Sequence, residues 1–278
     1  MIREIAIIAD ILAMLASGNL NEDSLLQYFE NNKDILKSNI EYAFTKYEGK
    51  KLDEIVGDLY SKYLEDRSLI LSNYERFSVV KNLVIEKIES HYDKYPEIYL
   101  VPCIGLFAHG GWTERIDDKQ YIFLAMERIA EDMNMDIFLT HEIAHCLSEE
   151  NWNTVLDGFY REGYATYVSL VLFPGHSDET YLRMDEELYV RCLDWIDKQR
   201  GRIYEESSKE LEVLNEYHKF YFTTGYNKEY PNIGYVIGCE YLKYLNKKYT
   251  LNELRTFGKK VNENEKEFKE FVFQWSHP

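Results

Sequence analysis

The residues with the clearest chemical potential are His141-Glu142-Ile143-Ala144-His145, an HExxH pattern. Residues four apart on a helix share a face, so the two imidazoles can reach one metal ion. Glu142 is rotated about 100° from His141 around the helix. There its carboxylate can reach a metal-bound water without ligating the metal. The pattern predicts a Zn2+ site with His141 and His145 as ligands and Glu142 as general base. Leu139, Ile143 and Leu147 make a separate apolar stripe that would anchor the helix in a core.

A tetrahedral catalytic zinc needs a third protein ligand and one open position. A metzincin-type third histidine is excluded, because the positions where its Gly and His would fall hold Ser148 and Asn151. Asp157 is available but lacks supporting context. Glu162 fits better. It lies 17 residues after His145, a gap that holds a turn at 150–153 and about two helical turns. Its face carries Gly158, Ala165, Thr166 and Ser169, and small residues let two helices approach closely. Thr166, one turn on, could touch a ligand histidine.

An HExxH motif followed by Glu162 on the next helix resembles the gluzincin group of zinc metallopeptidases, which share a thermolysin-like core. The resemblance covers roughly residues 97–172 and extends to a segment near 230–245. It is also similar to zinc-dependent proteases in which Glu-Gly-x-Ala follows the motif and a Gly-Tyr-x-x-Gly helix start lies further on; here those are Glu162–Ala165 and Gly234–Gly238. The resemblance implies His141, His145 and Glu162 as ligands and Glu142 as base. It further implies that Tyr121–Ala125 is an edge strand beside the motif helix, binding substrate as an added strand. Thr166 stands where thermolysin-like enzymes often carry Asp.

Peptide hydrolysis builds negative charge on the former carbonyl oxygen, and a Tyr or His donor often shares its stabilisation. The glycines and proline of Tyr226–Gly238 place a tyrosine at a loop-to-helix junction. Tyr235 is the first candidate and Tyr230 the second, with Tyr226 and His109 behind them. His91, His176, His218 and His277 stand alone and read as surface or satisfied side chains. Glu127 is a candidate for binding a substrate amino terminus, weighed against a plain helix-start glutamate.

The expected reaction is zinc-dependent hydrolysis of a peptide or protein substrate, with a zinc-bound water as nucleophile. Two other classes compete. A deformylase-like amide hydrolase would take Cys103 as third ligand, although its flanking sequence does not match. A non-catalytic binding protein on the same scaffold would have no need of Glu142.

These residues need helices to position them. Apolar positions recur at helical spacing in Ile5–Leu15, Leu25–Phe29, Leu52–Tyr63 and Val79–Ile88, with breaks at Gly18-Asn19 and Glu48-Gly49. Glu97–Val101 and Tyr121–Ala125 read as short strands of a small antiparallel sheet or hairpin within about residues 97–126. Helices are expected over Asp136–Glu149, Thr154–Leu172, Glu179–Gln199, Glu205–Phe220, Ile233–Lys248 and Glu263–Trp275. The expected fold is α+β, predominantly helical, with a zincin-like core over 93–175 between a helical region (1–92) and a C-terminal helical region (176–278).

The 278 residues are ample for a hydrophobic core. A net charge of -17 disfavours nucleic acid and anionic membranes. Four widely spaced cysteines read as reduced thiols of a cytoplasmic protein. The N-terminal apolar run is interrupted by Asp10 and reads as an amphipathic helix, not a signal peptide, and no stretch is long enough to span a bilayer.

Overall fold

A computed structural model describes residues 1–148, 152–212, 215–223 and 225–274. Residues 150 and 151 of the expected turn at 150–153, and the solitary His277, lie outside them. The chain divides into two compact units, Met1–Glu86 with Tyr95–Asp136, and Lys87–Lys94 with Ile137–Pro278.

The first unit opens with strand β1 (Ile2–Glu4), then helices α1 (Ala9–Ser17), α2 (Glu22–Asn31), α3 (Lys37–Lys46), α4 (Leu52–Glu65) and α5 (Arg67–His91), whose last turn passes into the second unit. Strands β2 (Ile98–Cys103), β3 (Gly111–Ile116) and β4 (Lys119–Ala125) follow. The expected breaks are real: Gly18 and Gly49 take left-handed φ values of 75° and 77°.

The sheet differs from the antiparallel one expected. Its order is β1-β2-β4-β3, with β1–β2 and β2–β4 parallel and only β3–β4 antiparallel. Residues 2–4, which no expected element includes, pair with Ile98–Leu100 and create the parallel edge. Pro102 is tolerated in β2 because the β1 ladder stops at Leu100, leaving no partner for an N–H on that side. Tyr121–Ala125 is not an edge strand. β2 and β3 flank it on both sides, so its backbone groups are taken by the sheet. A hairpin is present, but it joins β3 to β4 and not Glu97–Val101 to Tyr121–Ala125; Asp117 and Asp118 close it at φ 49° and 63°, the left-handed pair that a two-residue turn of this hand needs.

The second unit contains α6 (Met135–Leu147, from Ile137 on), α7 (Val155–Leu172), α8 (Asp178–Leu182), α9 (Glu186–Lys198), α10 (Arg200–Ser207), α11 (Glu216–Phe222), α12 (Ile233–Leu245), α13 (Leu251–Phe257) and α14 (Val261–Gln274). Leu139, Ile143 and Leu147 are fully buried, so the predicted stripe anchors α6. Thr154 caps α7 in a capping box with Asp157. Two expected helices are interrupted. Glu205–Phe220 is covered only by the end of α10 and by α11, with residues 208–212 outside any helix. The segment 179–199 breaks after Leu182, where Arg183 turns left-handed (φ 56°) and Asp185 caps α9 by accepting from the Leu188 N–H at 2.7 Å.

The organising contact of this unit is the crossing of α7 and α12. A Cβ on Gly163 would stand 2.3 Å from the Gly238 backbone, and one on Gly238 would stand 2.1 Å from the Phe159 carbonyl oxygen. Only glycine at both positions lets the backbones touch. Gly158 serves another neighbour: its missing side chain makes room for Leu211 and Phe222. Towards α6, it is Ser169 that makes contact, donating to the Ile137 carbonyl at 3.2 Å. Among the described residues, no helix is long and apolar enough to cross a membrane.

Candidate metal centre

Helix α6 presents His141 and His145 on one face, with ring centroids 4.8 Å apart and nearly perpendicular. Helix α7 presents Glu162 to both. The Nε2 atoms of His141 and His145 each lie 3.5 Å from the same carboxylate oxygen, Oε2 of Glu162. One ligand atom from each residue falls within 4.8 Å of the other two. His141 and Glu162 are only 8% and 7% exposed. This group could hold a metal ion.

The spacing fits that role. With metal–ligand bonds of about 2.05 Å, two tetrahedral ligands stand about 3.3 Å apart, close to the two 3.5 Å separations. The protonation states fit too. Burial pushes the His141 imidazole down, against the pull of Glu162. Burial works to raise the Glu162 carboxyl, but the two histidines override it and hold it well below the usual carboxylate range. An imidazole that releases its proton readily and an ionised carboxylate suit a divalent metal.

Glu142 extends from the same helix. Burial raises its carboxyl, while His141 and the guanidinium of Arg183 draw it back down. Tyr235, at the first turn of α12, stacks on the His141 ring at 6.2 Å with 16° between planes. Its phenol is raised well above the ordinary value, first by burial and then by the nearby Glu162 charge. The Gly163–Gly238 crossing explains the placement. Gly163 directly follows Glu162, and Gly238 lies one turn after Tyr235.

The other sequence candidates fall elsewhere. Tyr230 donates to its neighbour Glu229 at 3.0 Å and packs on Trp195. Tyr226 is exposed, beneath Lys219. Asp157 is spent on the α7 cap, accepting from Asn153 and Thr154 N–H groups at 3.0 and 2.9 Å. Cys103 is fully buried on β2, its thiol 3.6 Å from the Leu124 carbonyl. His109 packs between Tyr42 and Trp112. Glu127 is 4% exposed and accepts from the Gly105 and Phe107 N–H groups at 2.7 and 3.2 Å, so it braces a loop of its own unit. Thr166 does not touch a ligand histidine by hydrogen bond: its Oγ1 and the Nδ1 of His145 are both buried without a partner among the described residues.

Two residues near the centre had no signal in the sequence. Arg183 influences both Glu142 and Tyr235. His218, set aside as solitary, has Nδ1 3.0 Å from the Thr223 hydroxyl and lies near enough to Glu162 for that charge to oppose the lowering caused by burial. Both are reached only through packing, and the unrecognised helix break at 183–185 concealed the first.

Comparison with protein-family models, curated proteins and solved structures gave no match.

Proposed function

We propose that this protein is a zinc-dependent hydrolase of peptide bonds, of the gluzincin type that the motif and Glu162 resemble. The observation that carries this reading is the convergence of both histidine Nε2 atoms on one Glu162 oxygen, at 3.5 Å each. His141, His145 and Glu162 would hold the metal, whose chemistry there is Lewis acidity towards a scissile carbonyl and a water. Glu142 accepts the proton lost by the attacking water and delivers it to the leaving amine as the C–N bond breaks. Burial raises its basicity towards the range useful near neutral pH. Tyr235, kept protonated, donates to the oxygen on which negative charge builds. Gly163 and Gly238 set the distance between ligand and donor helices.

The test combines metal analysis with a peptide-library digest. Purified protein should carry one zinc per chain and cleave peptides until treated with a chelator, and zinc should restore cleavage. Glu142→Gln should retain the metal and lose at least about 100-fold in kcat. A protein without stoichiometric metal, or a Glu142→Gln variant with full activity, rules the reading out.

A further inference from the structure

Arg183 is a cation in a strongly acidic chain, near enough to Glu142 for its charge to lower that carboxyl. Its residue is exposed, and its side chain makes no hydrogen bond or ion pair among the described residues. Three other basic groups of this unit are paired: Lys243 with Asp178 and Glu240, Lys248 with Glu267 and Glu270, Arg202 with Glu206. Arg183 instead lays its guanidinium over the Phe138 ring at 5.1 Å. Phe138 lies one turn before Glu142 on α6, so the guanidinium stands over the helix face that carries Glu142.

The placement is built. Arg183 takes a left-handed backbone, which is unfavourable for a residue with a side chain, in the three-residue turn between α8 and α9. Helix α8 is tied to α12, the helix of Tyr235. Asp178 accepts from Lys243 Nζ at 2.6 Å and from the Tyr189 hydroxyl at 2.9 Å, and both donors also reach Glu240. Buried Tyr181 fastens α8 further by donating to the Phe173 carbonyl at 2.6 Å. A guanidinium that makes no hydrogen bond or ion pair among the described residues, held over the face that carries Glu142, offers a fork that matches a carboxylate. The need is physical: with a net charge of -17 the protein repels anions at long range, so binding one requires a local cation.

Resting on the hydrolase reading above, we propose that Arg183 receives a substrate carboxylate next to the scissile bond, so that the preferred substrates are peptides carrying a free C-terminal carboxylate or an acidic side chain there. The two sources share one chemistry and are separated by the substrates used.

The experiment pairs each cleaved peptide with its C-terminal carboxamide and with its Asp→Asn or Glu→Gln counterpart. It measures kcat and KM for the zinc-loaded full chain, and calorimetric binding of the same peptides to zinc-loaded Glu142→Gln. The wild type should favour the acid of one pair by about tenfold or more, through KM. Arg183→Gln should bring that ratio towards one, and Arg183→Lys should restore part of it. A purely structural role for Arg183 would move acid and neutral peptides together. Equal use of acid and neutral peptides by the wild type, or an undiminished preference in Arg183→Gln, overturns the proposal. Absence of zinc and of any cleavage overturns the hydrolase reading instead, and the binding arm still decides on Arg183: no acid preference there, or one that survives Arg183→Gln in the Glu142→Gln background, overturns it.

Discussion

Replacing Gly163 with alanine tests the contact on which the centre depends. The added methyl would stand 2.3 Å from the Gly238 carbonyl carbon and oxygen and 2.6 Å from its Cα. These are backbone atoms, so no side-chain rotation relieves the clash. Restoring ordinary separations of about 3.5 Å requires α7 and α12 to part by about 1 Å. Such overpacking costs about 1–3 kcal/mol, partly offset by a gain of up to about 1 kcal/mol from alanine's helix propensity. A net loss of about 1–2 kcal/mol lowers Tm by about 2–8 °C. The same displacement moves Tyr235 away from Glu162, and a 1 Å misplacement is worth about 100-fold in rate. Thermal unfolding, zinc affinity by chelator competition and peptide hydrolysis read the three consequences. Gly201→Ala is the control, because a Cβ there meets nothing within 4 Å and the substitution should be neutral or slightly stabilising. If Gly163→Ala equals the wild type in Tm, zinc affinity and rate, the close crossing does not position the site.

Tyr235→Phe removes one hydroxyl and leaves the stacked ring, so zinc content should be unchanged while kcat falls about 10–100-fold with little change in KM; an unchanged kcat would assign the oxyanion contact to another group, with His218 next in line. Glu162→Gln should abolish zinc-dependent stabilisation, which for the wild type reaches about 2.7 kcal/mol at a zinc concentration 100 times Kd; equal stabilisation of both proteins would remove Glu162 from the ligand set. Glu127 gives a pH prediction. Burial lifts its carboxyl from 4.5 to about 7, so the native state binds this proton more tightly than the unfolded chain. Its contribution to stability is full below pH 4.5 and is lost as pH rises to about 7, a swing of about 3 kcal/mol. Glu127→Gln keeps an acceptor for Gly105 and Phe107 and should flatten this part of the profile in urea titrations at pH 5 and 8; parallel profiles for both proteins would contradict the assignment.

The sequence by itself determined the features that depend on near neighbours. The i, i+4 spacing puts His141 and His145 on one face whatever surrounds them, and the apolar period of α6 fixes which side is buried. Glu162 was legible because a turn and two helical turns bring it back to that face. Thr154 with Asp157, and the aspartate pair of the β3–β4 hairpin, are likewise local chemistry. Only the tertiary structure decided the rest. Pairing of residues 2–4 with β2 made the sheet mixed and put β4 inside it, since nothing in a strand's own pattern names its neighbours. Which of several tyrosines meets the histidines was set by contact between Gly163 and Gly238, 75 positions apart, where the absence of two side chains fixes an interhelical distance. Arg183 sat within an apparently continuous helical period. Its backbone reverses where Asp185 caps a new helix, which is local chemistry, and α8 on its other side is tied to α12 through Asp178, which is not. The ligands follow from local helix geometry, whereas their surroundings follow from packing between residues distant in the chain.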